Sequence, residues 1–357
     1  MNKIADNKMS VPIKADHYGT YKGAPPSSFW RRCLSERDFY IKEAYKPSFT
    51  LSDSDKIATA GSCFAQKIGY ELRKSTASVL DFEPTPPGMS SHTAAKLGFG
   101  LYSARYGNIY TSAQWLQLIQ DAFSLSIRSD AIWLKNDRWF DGLRATLEPN
   151  GFSNYDTCVS ARLAHLFQVR RLCVDADVFI FTLGLTERWQ NRKSGTVYPI
   201  FPNSIAAEFG SLDHCFWNSN VRETVEELSQ CITLLRSHNP SLRFILTVSP
   251  IPLMATATGD HVLVATSRSK AILRAAIEEV SCNFSGCDYF PSYEVITSNP
   301  LLREAFQPDK REVTSEAVEA VMQVFFHGHP MVKRSITAQV EQEFTNCDEL
   351  LLGTALQ

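Results

Sequence analysis

The chain has little of what would assign it quickly. None of its apolar runs approaches the roughly 18 residues that a membrane-spanning helix needs, and Met1 to Ser10 has no apolar core of the kind a signal peptide carries. Both absences lead to the expectation of a cytoplasmic protein with no membrane span. Charge of either sign is not in excess. The 36 Lys and Arg against 38 Asp and Glu give a formal net charge of -2, too weak a field to gather nucleic acid or an anionic membrane, so no nucleic-acid partner is expected. The nine cysteines include no CxxC pair and no Cys/His ligand spacing, which fits buried reduced thiols better than a disulfide frame or a zinc site. No structural metal and no resident cofactor are expected. There is no internal repeat and no Gly-rich loop of the phosphate-cradling kind.

What is present is enough apolar residue, 44% of 357, to build one large core or two small ones. The most informative stretch is Ala60-Gly61-Ser62-Cys63-Phe64-Ala65. Ile57 to Ala60 reads as a buried strand and Cys63 to Leu72 as a helix that starts at once, so Ser62 stands where a strand hands over to a helix. A hydroxyl there leaves the carboxyl end of a sheet beside the N–H groups of a first helical turn, where an acyl-transfer enzyme places its nucleophile. The plainer reading is a serine N-cap with a turn glycine before it.

Residues 1–50 show no sustained period and read either as an arm, with Phe29, Trp30 and Phe39 as anchors, or as a partly disordered leader. Residues 78–111 form a long irregular segment that ends in Gly107-Asn108-Ile109-Tyr110, where Gly107 allows close backbone approach and the Asn108 amide offers donors for an oxyanion. The segment from Ala113 to Phe123 has helical spacing of Trp115, Leu116, Ile119 and Phe123, a core stripe. Residues 128–158, with Trp133, Trp139, Phe140, Arg144 and Phe152, read as a loop-rich insertion whose aromatics suit either a sugar-binding wall or cover packing. Asp177 to Leu183 is the clearest central strand, apolar on both faces. It delivers Gly184, Thr186 and Glu187 at its carboxyl end, the edge where open α/β sheets bind ligands.

A helix from Val221 to Leu235 stops at Asn239-Pro240. A strand over Arg243 to Val248 runs into Ser249-Pro250-Ile251-Pro252-Leu253, and that loop carries His261 ahead of a helix over Ser267 to Val280. A last strand, Cys287 to Phe290, and a helix over Thr314 to Phe326 close the domain. Strands and helices alternate about five times, which predicts an α/β domain over 51–335 with a parallel sheet covered on both faces. Residues 336–357, acidic with no basic partner, read as an acidic tail or a final amphipathic helix.

Gly61-Ser62-Cys63-Phe64-Ala65 together with Gly107-Asn108-Ile109-Tyr110-Thr111, Phe181 to Glu187, Thr247 to Leu253, Ser269-Lys270 and Tyr289 to Glu294 resembles the signature blocks of the GSCFA family, in the family's order. That family is similar to the SGNH/GDSL hydrolases. The resemblance implies a three-layer flavodoxin-like sheet, Ser62 as nucleophile, Gly107 in the oxyanion hole with Asn108 in place of the family's Asn, and a late Asp-x-x-His as base; Gly61, Cys63 and Gly184 are further candidates beside the oxyanion and substrate. Here that element is Asp309-Lys310-Arg311-Glu312, and Gly184-Leu185-Thr186-Glu187 stands where Gly-x-Asn would be expected.

A serine needs a base at neutral pH. His261, on a loop at the carboxyl edge, Glu312, in the place of the absent histidine, and Glu187 are the candidates, with His261 preferred because its ordinary pKa already suits the task. The expected function is removal or transfer of an O-acyl group, acetyl first, on a carbohydrate or glycoconjugate through an acyl-Ser62 intermediate. Two other readings stay open: a carbohydrate-binding or polysaccharide-assembly protein on the same fold, and an acetyl-CoA-dependent transferase.

Overall fold

The structure, a computed structural model, describes residues 21, 23–33, 41–144, 146–202, 213–300, 302 and 304–334. Phe39 and the acidic segment 336–357 lie outside the described residues.

After a short helix α1 (Trp30–Cys33), strand β1 (Lys56–Gly61) leads into α2 (Cys63–Arg73) and the two-residue β2 (Ser78–Val79). Helices α3 (Ser91–Lys96) and α4 (Ser112–Ser124) come next. They are followed by the hairpin β3 (Ile132–Lys135) and β4 (Arg138–Asp141), the long helix α5 (Tyr155–Asp175) and β5 (Val178–Leu183). Strands β6 (Glu187–Asn191), β7 (Val197–Tyr198) and β8 (His214–Asn218) precede α6 (Val221–His238) and β9 (Arg243–Val248). The chain continues through α7 (Val262–Asn283), β10 (Cys287–Phe290), α8 (Ser292–Thr297) and α9 (Ser315–Gly328).

The central sheet has the order β10-β9-β5-β1-β2, and every pairing in it is parallel. Its strands are apolar on both sides because both sides are covered. Ala58, Ala60, Phe179, Phe181, Phe244 and Leu246 face one core, under α4, α5, α6 and α7. The alternating residues Ile57, Val178, Ile180 and Ile245 face a second core, under α2, α8 and α9. Trp115 of α4 stacks on Phe181 with ring centroids 4.1 Å apart, a contact worth about 1 kcal/mol beyond the area it buries. The α/β sheet with helices on both faces is as the sequence predicts.

The strand order places β2 on one side of β1 and β5 on the other. The chain therefore changes direction across the sheet between β1 and β5, and a crevice opens beyond their carboxyl ends. Ser62 follows β1 and Gly184 follows β5, in register, with Gly61 paired to Thr182.

Several expectations need correction. Trp30 is not an anchor, since it is 71% exposed. The preceding segment is held instead by Tyr45, buried against Phe290 and His329, by the Leu51 amide, which donates to His329 Nδ1 at 3.3 Å, and by residues 41–44 packed on α9. Residues 78–111 are not wholly irregular, since β2 and α3 lie within them. Trp133 is fully buried, packed with Ala131 and Tyr198, and Arg144 is buried in ion pairs, so the 128–158 insertion packs as cover rather than as an open wall. One helix and one small sheet had no sequence signal that the periodicity could register. Helix α5 turns Arg162 and His165 inward beside Leu166 and Val169, which breaks its apolar stripe. Strands β6, β7 and β8 form a separate three-stranded antiparallel sheet beyond the end of β5.

Candidate active site

Ser62 occupies the N-cap position of α2, yet its side chain accepts no hydrogen bond from that helix. Elsewhere in the chain Ser90, Thr111, Asn154, Asn220 and Thr314 each cap their helices through the side chain. The plain N-cap explanation of a serine thus does not apply at this position. Ser62 is 2% exposed, and its Oγ has no hydrogen-bond partner among the described residues. A buried hydroxyl left this way costs stability unless something outside the resting fold uses it.

The backbone around it is tightly constrained. Gly61 has φ +135°, and a Cβ there would lie 2.7 Å from the Thr182 amide nitrogen and closer still to the Thr182 carbonyl. Only glycine fits. The Ser62 N–H donates to the Thr182 carbonyl at 3.0 Å, while the N–H groups of Gly184 and Leu185 both donate to the Tyr110 carbonyl, at 2.8 and 3.1 Å. These three donors are committed within the protein in this conformation. Gly184 lies against Ser62 itself, and its carbonyl accepts from the Nζ of Lys270, a buried residue of α7. The sequence reading gave Lys270 no role of its own, because a lysine in a helix reads as surface. Its place in the Ser269-Lys270 block was the available signal.

Asn108 approaches Ser62 through an intermediary. Its Oδ1 accepts from Gln66 Nε2 at 2.9 Å and from the Tyr102 hydroxyl; Gln66 Nε2 also lies 3.1 Å from that hydroxyl, and the hydroxyl is 3.0 Å from the Ser62 carbonyl. The Ile109 N–H donates to the Gly61 carbonyl at 2.9 Å. Gly107 has φ +73° and faces Leu147, so it serves the turn that brings Asn108 in.

A buried charge cluster fixes that turn. The Glu83 carboxylate accepts from the Arg105 amide at 2.6 Å and pairs with His165 Nδ1 at 2.7 Å. Arg144 donates to the Arg105 carbonyl at 3.0 Å and to Asp141 at 3.0 Å. Burial alone would raise the Glu83 carboxyl, but the His165 ring and the Arg144 charge beside it bring it down to about 2. Burial, reinforced by Arg144, pushes His165 down to about 4, so the ring is neutral and its Nδ1–H donates to Glu83.

Ser62, Cys63, Tyr110, Gly184, Leu185, Ser249 and the loop to Leu253 line a narrow cleft. Cys63 also packs with Phe64 and Ile68 in the second core. Of the other predicted residues, Thr186 is buried with its hydroxyl donated to Asn218 Oδ1 at 2.6 Å. Glu187 stands in an adjoining pocket, where Thr256 donates to it at 2.6 Å and the Ala257 amide at 3.2 Å. His261 is exposed and caps α7, its Nδ1 accepting the Leu263 N–H at 3.2 Å. Glu312 is exposed, its amide donating to Asp309 Oδ1 at 3.0 Å. Its neighbour Arg311 donates to the Pro252 carbonyl at 3.2 Å, which ties this loop to the one lining the cleft. Neither His261 nor Glu312 is hydrogen-bonded to Ser62. Among the described residues no cluster of three or more His, Cys, Asp or Glu is arranged to hold a metal ion.

No curated protein matches the chain. The model of the GSCFA family matches residues 56–325, a span from the first strand to the closing helix that contains the Ser62 cleft, the Asn108 turn and the buried Lys270. By that match over most of its length, the chain belongs to the GSCFA family.

Proposed function

We propose that the protein is an SGNH-like serine esterase or acyltransferase that works through an acyl-Ser62 intermediate, with a carbohydrate or glycoconjugate as the acyl-bearing or acyl-accepting partner. The observation that carries this reading is the Ser62 hydroxyl, buried and without a partner at the switch point of the sheet and opening on a cleft. The strand order, 2-1-3-4-5 when the parallel strands are numbered along the chain, is that of flavodoxin-type sheets and supports the kinship. In the proposed reaction Ser62 Oγ attacks the acyl carbonyl carbon, its proton passes to a base, and the bond from carbonyl carbon to alkoxide oxygen breaks as that proton reaches the leaving alkoxide. Water or a second hydroxyl then takes the acyl group from Ser62.

His261 remains the proposed base. Its Nδ1 lone pair accepts the Leu263 amide, so the neutral ring carries its proton on Nε2. Taking the Ser62 proton therefore requires the ring to release its cap, a local rearrangement at the first turn of α7. A non-catalytic binding role is the second reading, favoured by the missing hydrogen bond between Ser62 and any base.

Treatment with a fluorophosphonate, followed by mass spectrometry, separates the two. An adduct on Ser62 is expected. No adduct, with aryl acetate hydrolysis unchanged in Ser62→Ala, would leave the binding role. Retained hydrolysis in His261→Ala together with loss in Glu312→Gln would move the base to Glu312.

A further inference from the structure

The Ser62 cleft shares Tyr110, Leu185 and Leu253 with a second, adjoining pocket. Its wall is apolar: Trp189 packs on Phe201 and Phe216 with ring centroids 4.3 and 5.6 Å apart, and Ile200 completes the surface. The antiparallel sheet of β6, β7 and β8 contributes Trp189 and Phe216 to it.

Aromatic walls serve sugars as well as hydrocarbon, and the polar groups decide between them. A sugar ring brings hydroxyls that need hydrogen-bond partners when they leave water. Glu187, Arg188 and Tyr198, three of the charged and hydroxyl-bearing side chains that border this pocket, are already engaged by the protein. Glu187 is taken by Thr256 and the Ala257 amide. Arg188 is taken by Glu227 at 2.6 Å and Ser219 at 2.9 Å. Tyr198 donates to Asp130 at 2.9 Å. The ring faces of Trp189, Phe201 and Phe216 and the Ile200 side chain are left to bury apolar surface.

We infer that this pocket binds an apolar acyl chain, placed so that its carbonyl end lies in the cleft at Ser62. The inference rests on the acyl-serine reading for the chemistry but not for the binding. It replaces acetyl with a longer alkanoyl group as the group transferred, and puts the carbohydrate on the solvent side of Ser62.

The test uses the full chain with two readouts. In wild type, p-nitrophenyl octanoate is expected to exceed p-nitrophenyl acetate at least tenfold in kcat/KM, and Ala255→Trp, which fills the rim of the pocket from an exposed position, to lower that ratio at least tenfold. In the Ser62→Ala protein, calorimetric titration with octanoate is expected to show saturable binding that Ala255→Trp abolishes, with thermal melting confirming that both variants fold. Equal turnover of the two esters overturns the inference. So does a Ser62→Ala protein that binds no octanoate, or that binds N-acetylglucosamine instead. If neither ester is cleaved and Ser62 takes no fluorophosphonate, the acyl-serine reading fails, and the octanoate titration alone then upholds or overturns the pocket.

Discussion

Gly184 and Ser62 touch across the carboxyl ends of two neighbouring strands, so closely that a methyl group on residue 184 would stand 3.0 Å from the Ser62 Cβ. The same methyl would meet the Tyr110 ring at 3.1 Å. Ser62 Cβ can give way only by a shift of its backbone, so Gly184→Ala is expected to cost about 1–3 kcal/mol from overpacking. Because the displacement falls on the reactive hydroxyl, fluorophosphonate labelling of Ser62 is expected to slow at least tenfold. Labelling at the wild-type rate would show that the contact does not position Ser62.

Ser62→Ala should act in opposite directions on stability and on chemistry. The substitution removes a buried hydroxyl that has no partner, so unfolding in urea is expected to show a gain of about 1 kcal/mol while probe labelling disappears. A destabilised Ser62→Ala would mean that the hydroxyl has a structural partner in solution.

Gly61→Ala is expected to do more damage than any other single methyl at the site. It combines a backbone conformation that L-residues avoid with a collision against the Thr182 backbone, which cannot swing aside. The cost is about 3 kcal/mol or more, read as a large fall in melting temperature or as insoluble protein.

The buried histidine of the charge cluster predicts an acid limb. His165 is held at about 4 in the fold against 6.5 ordinarily, so below pH 6.5 the unfolded chain takes up a proton that the folded chain refuses. Stability is therefore full above pH 6.5 and falls as the pH drops from 6.5 toward 4, by up to about 1.4 kcal/mol per pH unit for this group. His329, which burial also pushes down to about 4, adds a similar slope. His165→Asn keeps a donor toward Glu83 and cannot titrate, so denaturant unfolding between pH 4 and 6.5 should lose about one proton of pH dependence. An unchanged slope would contradict the assignment.

Thiol labelling tests the burial of Cys63. Of the described cysteines only Cys282 is exposed, whereas Cys63 is buried, with 3% of its surface accessible. Brief iodoacetamide treatment should modify Cys282 and spare Cys63. Early modification of Cys63 with loss of labelling at Ser62 would make the thiol the rival nucleophile.

The sheet was legible because its strands obey a simple rule: a strand covered on both faces must be apolar throughout, as Val178 to Leu183 and Arg243 to Val248 nearly are. Helix α6 was legible from the spacing of Val221, Leu228, Ile232 and Leu235 and from its Asn239-Pro240 stop. Helix α5 was not, because Arg162 and His165 occupy inward positions where pattern reading expects Leu or Val, and their partners Asp121, Asp141 and Glu83 come from distant stretches of chain. The site was half legible. Ser62, Gly61 and Gly184 stand together as their places at strand ends require. That Asn108 reaches Ser62 only through Tyr102, and that Lys270 is buried against Gly184, depends on tertiary geometry that no local pattern encodes.

The closure of the second core joins stretches of chain that are far apart in sequence. Tyr45 seats against Gly328 and His329, the Leu51 amide reaches His329, and Thr76 pairs with Lys333. During synthesis the side of the sheet that carries Ile57, Val178 and Ile180 therefore stays without its α9 cover until that helix has left the ribosome. Folding on this side is thus a late event, with an apolar surface open to chaperones for most of translation. Truncation before Ser315 is accordingly expected to yield aggregation-prone chains rather than a smaller folded domain.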